Sequence, residues 1–255
     1  MTVADDSQSA LQRALQRAGP LWGGWITGPT VLGPEEFART GYDYVGFDAQ
    51  HGYLDDAGIA RMLRRIEHVP IGTVVRLPNA DAAPIGRVLD AGADAVVIAM
   101  VESADQAAAA VAATRHQPRG IRSFGPLRAS LGHDPIALES RVSVFAMIET
   151  AAALSGLSEI CAVEGLAGLY VGPADLALSM GVDVVGATQH PAIIDAIARI
   201  HAAATTAGLV TGIHAGDGKA GRTMAKLGFR MITLAAESQA LRRGAAEHLR
   251  EATGQ

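Results

Sequence analysis

The chain has 255 residues and a mass of 26.3 kDa, a length that an α/β barrel fills as one domain. Hydrophobic residues make up 49% and charged residues 18%, which supplies a sizeable core and excludes a highly charged, disordered polymer. A formal charge of -5 and a pI near 5.9 provide no broad basic surface for phosphate backbones, so nucleic acid is excluded as an expected partner.

No apolar run reaches the roughly 18 to 20 residues of a membrane-spanning helix. The opening MTVADDSQSALQR is acidic where a secretory leader is basic and then greasy, so no membrane contact and a cytoplasmic location are expected. The opening residues before Leu21 read as a short amphipathic helix that closes the floor of a barrel. From there β-rich apolar runs alternate eight times with segments of helical period, the pattern of a parallel sheet covered by helices. The strands are expected over 21–27, 42–51, 72–78, 95–101, 142–150, 165–173, 209–215 and 230–236. The helices are expected over 34–40, 55–68, 82–90, 104–115, 151–161, 191–207, 219–227 and 238–252. Asp55, Asp81, Ser103 and Ser238 supply starting signals, and Gly41, Gly92, Gly208 and Gly228 fall near the ends. The fold class is therefore α/β, a single-domain (β/α)8 TIM barrel over residues 1–255. The longest irregular piece is 117–140, and loops of that length are commonly functional. Cys161, the one cysteine, falls on a stripe with Leu157, Ile160 and Val163 and reads as a core thiol rather than a nucleophile.

In such a barrel, catalytic groups gather where strands end and βα loops begin. Polar residues at those points are Asp48, Gln50 and His51 after strand two, Arg76 on strand three, Glu102 after strand four, Glu149 on strand five, Asp175 after strand six and His214 on strand seven. An aspartate three residues before an imidazole at a strand end can orient the ring and make it a base near neutral pH; a helix-capping aspartate beside an exposed histidine is the plainer alternative. Glu149 ends an apolar strand, where a charge is expensive unless paired or ion-bound. Asp175 ends the next strand, and neighbouring strands about 4.8 Å apart let two carboxylates grip one cation. Oxygen ligands suit Mg²⁺ or Mn²⁺, with Co²⁺ a further candidate; pairing with arginines or helix capping would explain the same acids. Arg76, embedded in Val74-Val-Arg-Leu-Pro78, offers planar donors to a carboxylate or to an oxygen gaining charge, or else forms an ion pair with Glu102 or Glu149. Gly172-Pro-Ala-Asp175 presents backbone N–H groups to a small carboxylate. Trp22 and Trp25 alternate across strand one, with Trp25 either lining a pocket or belonging to the core. The two lysines, Lys219 and Lys226, both lie near the seventh helix, so Schiff-base chemistry lacks a lysine on a strand. Enolate chemistry then needs a metal as electron sink. Gly216-Asp-Gly-Lys-Ala-Gly221 fails the spacing of a nucleotide loop.

Taken together, Asp48-x-x-His51-Gly, Val75-Arg76, Met100-Val-Glu102, Ile148-Glu149-Thr and Gly172-Pro-Ala-Asp175-Leu resemble the metal-dependent hydroxy-keto-acid aldolases. That family includes 4-hydroxy-2-oxoheptane-1,7-dioate aldolase and 2-dehydro-3-deoxyglucarate aldolase, and the similarity spans about residues 11 to 249. The resemblance implies a class II aldolase, an aldehyde-lyase that cleaves a 4-hydroxy-2-keto acid to pyruvate or hydroxypyruvate and an aldehyde. It implies a divalent ion on Glu149 and Asp175, His51 as base oriented by Asp48, Arg76 facing the enolate oxygen, and a carboxylate cradle at Gly172, Ala174 and Asp175. It places Arg122, within Gly120-Ile-Arg122-Ser-Phe-Gly125, as a contact for a distal substrate group. Asp90 matches a residue that approaches an adjacent site, and a homohexamer is implied. Met147 and Gln50 depart from the glutamine and glutamate found in some members, and His214 stands at a commonly aliphatic position. An acyl-CoA thioester lyase and a non-catalytic keto-acid-binding barrel are the rival readings.

Overall fold

The computed structural model describes residues 8–30 and 32–254. Eight parallel strands close in sequence order into a barrel: β1 (Leu21–Ile26), β2 (Tyr44–Asp48), β3 (Gly72–Leu77), β4 (Ala95–Ile98), β5 (Ser143–Ile148), β6 (Gly168–Val171), β7 (Val210–His214) and β8 (Met231–Ala236). All eight coincide with the expected apolar runs, trimmed where loop residues begin. The helices are α1 (Ala10–Gln16), α2 (Gly33–Arg39), α3 (Asp56–Arg65), α4 (Ala82–Asp90), α5 (Ala104–Thr114), α6 (Pro135–Ser140), α7 (Ala151–Ser155), α8 (Leu157–Cys161), α9 (Pro173–Ser179), α10 (Pro191–Thr206), α11 (Gly218–Leu227) and α12 (Glu237–Thr253). No helix of the described residues is long and apolar enough to cross a membrane.

Local chemistry explains most starts. Asp55, Ser103, Thr150 and Asp217 each accept a backbone N–H from the first turn of α3, α5, α7 and α11, satisfying donors that a helix start otherwise leaves open. Several expectations need correction: Asp81 makes no side-chain cap hydrogen bond, Ser238 lies inside α12 behind the N-cap position Ala236, and α9 is not among the expected helices. The segment expected to be irregular over 117–140 contains α6, whose N-cap Asp134 accepts the Ile136 N–H and whose first residue is Pro135, a fixed φ suited to a first turn. The helix expected over 151–161 is two, α7 and α8, meeting at Gly156. Cys161 ends α8 partly buried, packed against the core beside buried Leu157 and Ile160.

Two apolar layers result. One lies between strands and helices, including Val45, Val75, Ile98, Ile148, Leu169 and Ile232. The other fills the barrel and includes Tyr44, Val74, Phe145, Met147, Tyr170 and Met231, with Leu11 and Ala14 of α1 plugging the floor. Large rings inside the barrel need small neighbours. An added Cβ at Gly46 would lie 2.1 Å from the Trp25 ring, and one at Gly212 would lie 2.5 Å from that of Tyr170. Gly46 is the cross-strand partner of Trp25, so the glycine makes the cavity into which the indole folds.

A polar knot of hydroxyls lies in the interior. Thr233 Oγ1 meets the hydroxyls of Tyr44 at 2.9 Å and Tyr170 at 2.6 Å, all three residues fully buried. Burial pushes the Tyr170 phenol up to about 12, so it stays a hydroxyl. Thr233→Val should leave two buried hydroxyls short of a partner and destabilise the barrel by about 1–3 kcal/mol. The measurement is a urea unfolding curve; an unmoved midpoint would show that the knot contributes nothing.

Candidate active site

Barrel closure brings the strand ends to one mouth, and register decides which side chains meet there. Asp48 and Arg76 are direct cross-strand partners on β2 and β3. Their side chains join twice: Arg76 Nε donates to Asp48 Oδ1 at 3.0 Å and Nη2 to Oδ2 at 2.5 Å. Trp25 Nε1 donates to Oδ2 at 3.1 Å, and the backbone N–H groups of Gln50 and His51 donate to Oδ1, each at 3.0 Å. The Arg76 guanidinium also sits 5.5 Å from the Trp25 ring centre, within cation–π range. Burial acts to raise the Asp48 pKa, but the hydrogen bonds and charge of Arg76, with the His51 N–H and Trp25, hold it below the ordinary carboxylate value. The expected use of Asp48 is thereby corrected. It grips the backbone of His51 and not its imidazole, because Arg76 and Trp25 already occupy the carboxylate. The His51 ring is left exposed at the mouth. Arg76 pairs with Asp48 rather than with Glu102 or Glu149, and the pairing uses Nε and Nη2, so Nη1 takes no part in it.

Across the mouth, Glu149 follows β5 and is fully buried. Its Oε1 accepts the Met100 N–H at 2.7 Å, whereas Oε2 is buried with no partner among the described residues. Burial raises its pKa; the Met100 N–H opposes the shift, the nearby Asp175 carboxylate adds to it, and Arg76 and His51 oppose it. Asp175 lies in the first turn of α9, partly exposed. Two acids that repel each other, one with an orphaned oxygen, suit a shared hard cation with oxygen ligands. Further ligands would have to be water or substrate, since no group of three His, Cys, Asp or Glu side chains among the described residues is arranged for a metal.

The Gly172–Asp175 turn differs in detail from the expected cradle. Gly172 N–H is committed to the Ile148 carbonyl at 3.3 Å, and Pro173 has no N–H. Ala174 and Asp175 carry the amides that make no hydrogen bond among the described residues. Gly172 contributes clearance instead: a Cβ there would lie 2.5 Å from Glu149 Oε2.

A cavity of about 520 Å³ is lined by Trp25, Asp48, His51, Arg76, Gly172, Ala174, Asp175 and His214; Glu149 is fully buried outside that lining, with its Oε2 close against Gly172. Trp25, expected in a pocket or in the core, is 3% exposed and does line the cavity, while Trp22 packs on the helix side. His214 meets Trp25 edge to face at 5.6 Å between ring centres. Burial first, and the Arg76 charge second, lower its pKa to about 4 against a smaller opposing effect of Asp48. Arg122 does not join the site. It is 3% exposed, donates from Nη2 to Asp90 Oδ1 at 2.7 Å, and lies outside the cavity lining. Glu102 is exposed and also absent from the lining. Both lysines are exposed on α11 and outside the cavity, so no lysine is placed for a Schiff base.

Met100 was not legible as a site residue. It is the one non-glycine in the left-handed region among the described residues (φ 55°), a conformation that costs energy and recurs at functional sites, and it aims its N–H at Glu149. No sequence pattern announces that torsion. Thr27 and Gln239, which unlike Met100 line the cavity, gave no signal beyond lying near strand ends.

A family model described as HpcH/HpaI aldolase/citrate lyase matches residues 23–243. The chain belongs to this family. The HpcH/HpaI match extends to individual relatives: the hydroxypyruvate/pyruvate aldolase of Rhizorhabdus wittichii is 38% identical over 219 residues, 85% of this chain and 87% of that protein. A 4-hydroxy-2-oxovalerate aldolase of Novosphingobium aromaticivorans is 37% identical, covering 78% and 79% respectively. A crystal structure of an HpcH/HpaI aldolase/citrate lyase family protein from Burkholderia cenocepacia superposes with a TM-score of 0.86 at 33% identity, over 95% of this chain and 98% of that one.

If the Glu149 and Asp175 pair is a cation site, Mg²⁺ or Mn²⁺ at about 100 times its dissociation constant should stabilise the native state by about 2.7 kcal/mol. For a domain of this size that corresponds to a melting temperature raised by roughly 5 to 10 °C. Glu149→Gln should abolish the rise while leaving the metal-free protein at least as stable as wild type, since it removes a buried charge that folding disfavours. A metal-induced rise that persists in Glu149→Gln, read by differential scanning calorimetry, would place the cation elsewhere.

Proposed function

We propose that this chain is a divalent-metal-dependent aldolase that reversibly cleaves a 4-hydroxy-2-keto acid into a pyruvate-type keto acid and an aldehyde. The observation that carries the proposal is the orphaned, buried Glu149 oxygen against Gly172, within electrostatic reach of Asp175, which shares a cavity with Arg76 and His51. The names of the relatives, aldolases of hydroxypyruvate, pyruvate and 4-hydroxy-2-oxo acids, support the same substrate class. The rival thioester lyase would have to accommodate nucleotide phosphates, yet the described cavity lining has Arg76 as its one arginine and no lysine.

A divalent cation held by Glu149 and Asp175 would supply a Lewis acid that polarises the keto oxygen. The Ala174 and Asp175 amides bind the carboxylate, at the first turn of α9 where N–H groups converge. His51, exposed and free to approach through one water, takes the proton of the C4 hydroxyl. The C3–C4 bond breaks, C4 becomes the aldehyde carbonyl, and the bonding pair passes into an enolate over C2 and C3. Arg76, fixed by Asp48 through Nε and Nη2, faces that gathering charge with Nη1 and needs no reorganisation as it develops. Protonation at C3 then completes the keto acid. A homo-oligomer belongs to the same proposal: α12 has no buried residue along its 17 positions, and Leu241 and Leu249 stand 73% and 65% exposed, an apolar surface suited to a neighbouring copy.

Arg76→Lys keeps a charge beside Asp48 but loses the fork, and should lower kcat by about 10²- to 10³-fold while circular dichroism remains native. Wild-type activity, followed as pyruvate released from a panel of 4-hydroxy-2-keto acids, should vanish on chelation and return with Mg²⁺ or Mn²⁺. Full turnover after thorough metal removal, or a lysine adduct trapped by borohydride, would overturn the mechanism.

A further inference from the structure

The proposed chemistry leaves His214 without a task. It is the last residue of β7 and lines the cavity, yet neither ring nitrogen has a hydrogen-bond partner among the described residues. Neither nitrogen is sealed from solvent, in contrast to the buried Gln50 Oε1 and His116 Nε2. The imidazole therefore opens its polar atoms to the cavity while its ring edge rests on Trp25. With a pKa lowered to about 4 by burial and by Arg76, it is neutral at physiological pH and a poor proton acceptor. A neutral imidazole offers one donor and one acceptor, which is what one hydroxyl group complements.

The position of the ring indicates which part of a substrate it meets. The groups assigned to the α-keto-acid head stand at the ends of β5 and β6 and on β2 and β3. The remaining strand-level wall is β7, β8 and β1, with His214, Ala236, Thr27 and Trp25. His214 is the last strand residue before the β7 loop begins, so at strand level it faces the component bound deepest, which is the keto acid left behind when the aldehyde departs. The only atom of that keto acid beyond the anchored head is C3 with its substituent. A methyl group there would cover the imidazole nitrogens and leave them unpaired, whereas a hydroxyl would satisfy them.

We propose that His214 is a specificity-determining residue that selects a 3-hydroxy-2-keto acid over its 3-deoxy counterpart as donor, by hydrogen bonding the C3 hydroxyl. The proposal rests on the aldolase reading and names its donor. The test compares hydroxypyruvate with pyruvate, with glyceraldehyde as common acceptor, for wild type, His214→Leu and His214→Gln. One uncharged hydrogen bond corresponds to roughly tenfold, so the hydroxypyruvate-to-pyruvate ratio of kcat/KM should fall about tenfold in His214→Leu and recover in part in His214→Gln. Calorimetric affinities of the two keto acids for the Mg²⁺-loaded proteins should shift in the same ratio. Equal losses on both donors, or an unchanged ratio, would overturn the role. Should wild type bind both keto acids but turn over neither, the aldolase reading fails and the affinity ratio still decides His214; failure of wild type to bind either would remove both.

Discussion

A carboxylate sealed inside a barrel has to find donors, and Asp48 finds Arg76 through two nitrogens, Trp25, and the N–H groups of Gln50 and His51. Removing such an ion pair from water costs several kcal/mol per charge unless further hydrogen bonds complete it, and here they do. The group binds β1, β2, β3 and the β2 loop into one body, so Arg76 and the His51 backbone are fixed before any ligand arrives. Because the folded chain holds the Asp48 proton less tightly than the unfolded chain, this carboxylate stabilises the fold above the ordinary aspartate pKa. That contribution is lost as pH falls through the lowered folded value.

Glu149 is the opposite case on the opposite side of the mouth. One oxygen has a single N–H partner and the other has none among the described residues, and folding raises its pKa. At neutral pH its charge works against the fold, so the sign of its contribution is reversed relative to Asp48. A barrel that completes one buried carboxylate and leaves the other incomplete has separated two tasks. In the proposed mechanism the first would hold Arg76 as a rigid donor for developing negative charge, and the second would take a positive ligand. Met100 extends the contrast, since its left-handed backbone supplies the one N–H that Glu149 accepts while Oε2 stays without a partner among the described residues.

The strands were legible because an apolar run buried on both faces leaves a strong trace, and Asp48, Arg76 and Glu149 were legible because charges inside such runs are conspicuous. Their pairing was not. Arg76 had Glu102 and Glu149 as sequence-level partners, and only the register that sets Asp48 across from Arg76 decides among them; register in a closed parallel barrel depends on the stagger of all eight strands. The resemblance placed Arg122 as a distal substrate contact, whereas a bridge between His116 and Arg122 and the Asp90 carboxylate hold its side chain buried and outside the cavity lining. The expected cradle counted one amide too many, because a sequence does not show that the Gly172 N–H is already committed to β5.

The layering of the cavity bears on what varies within such a site. Trp25, Arg76 and His214 stand on strands whose neighbours are fixed by hydrogen bonds on both sides, and a change there alters the floor on which the keto acid lies. The upper wall is built from Val184, the turn Gly186–Gln189 and the start of α12 at Gln239, segments that carry no part of the Asp48 network. Substitutions in that upper wall can reshape the space for the aldehyde without disturbing the acids or the arginine, since loops tolerate change where strands do not. Under the proposed function, choice of aldehyde and choice of donor would fall to different structural layers, with His214, although polar, in the deeper one.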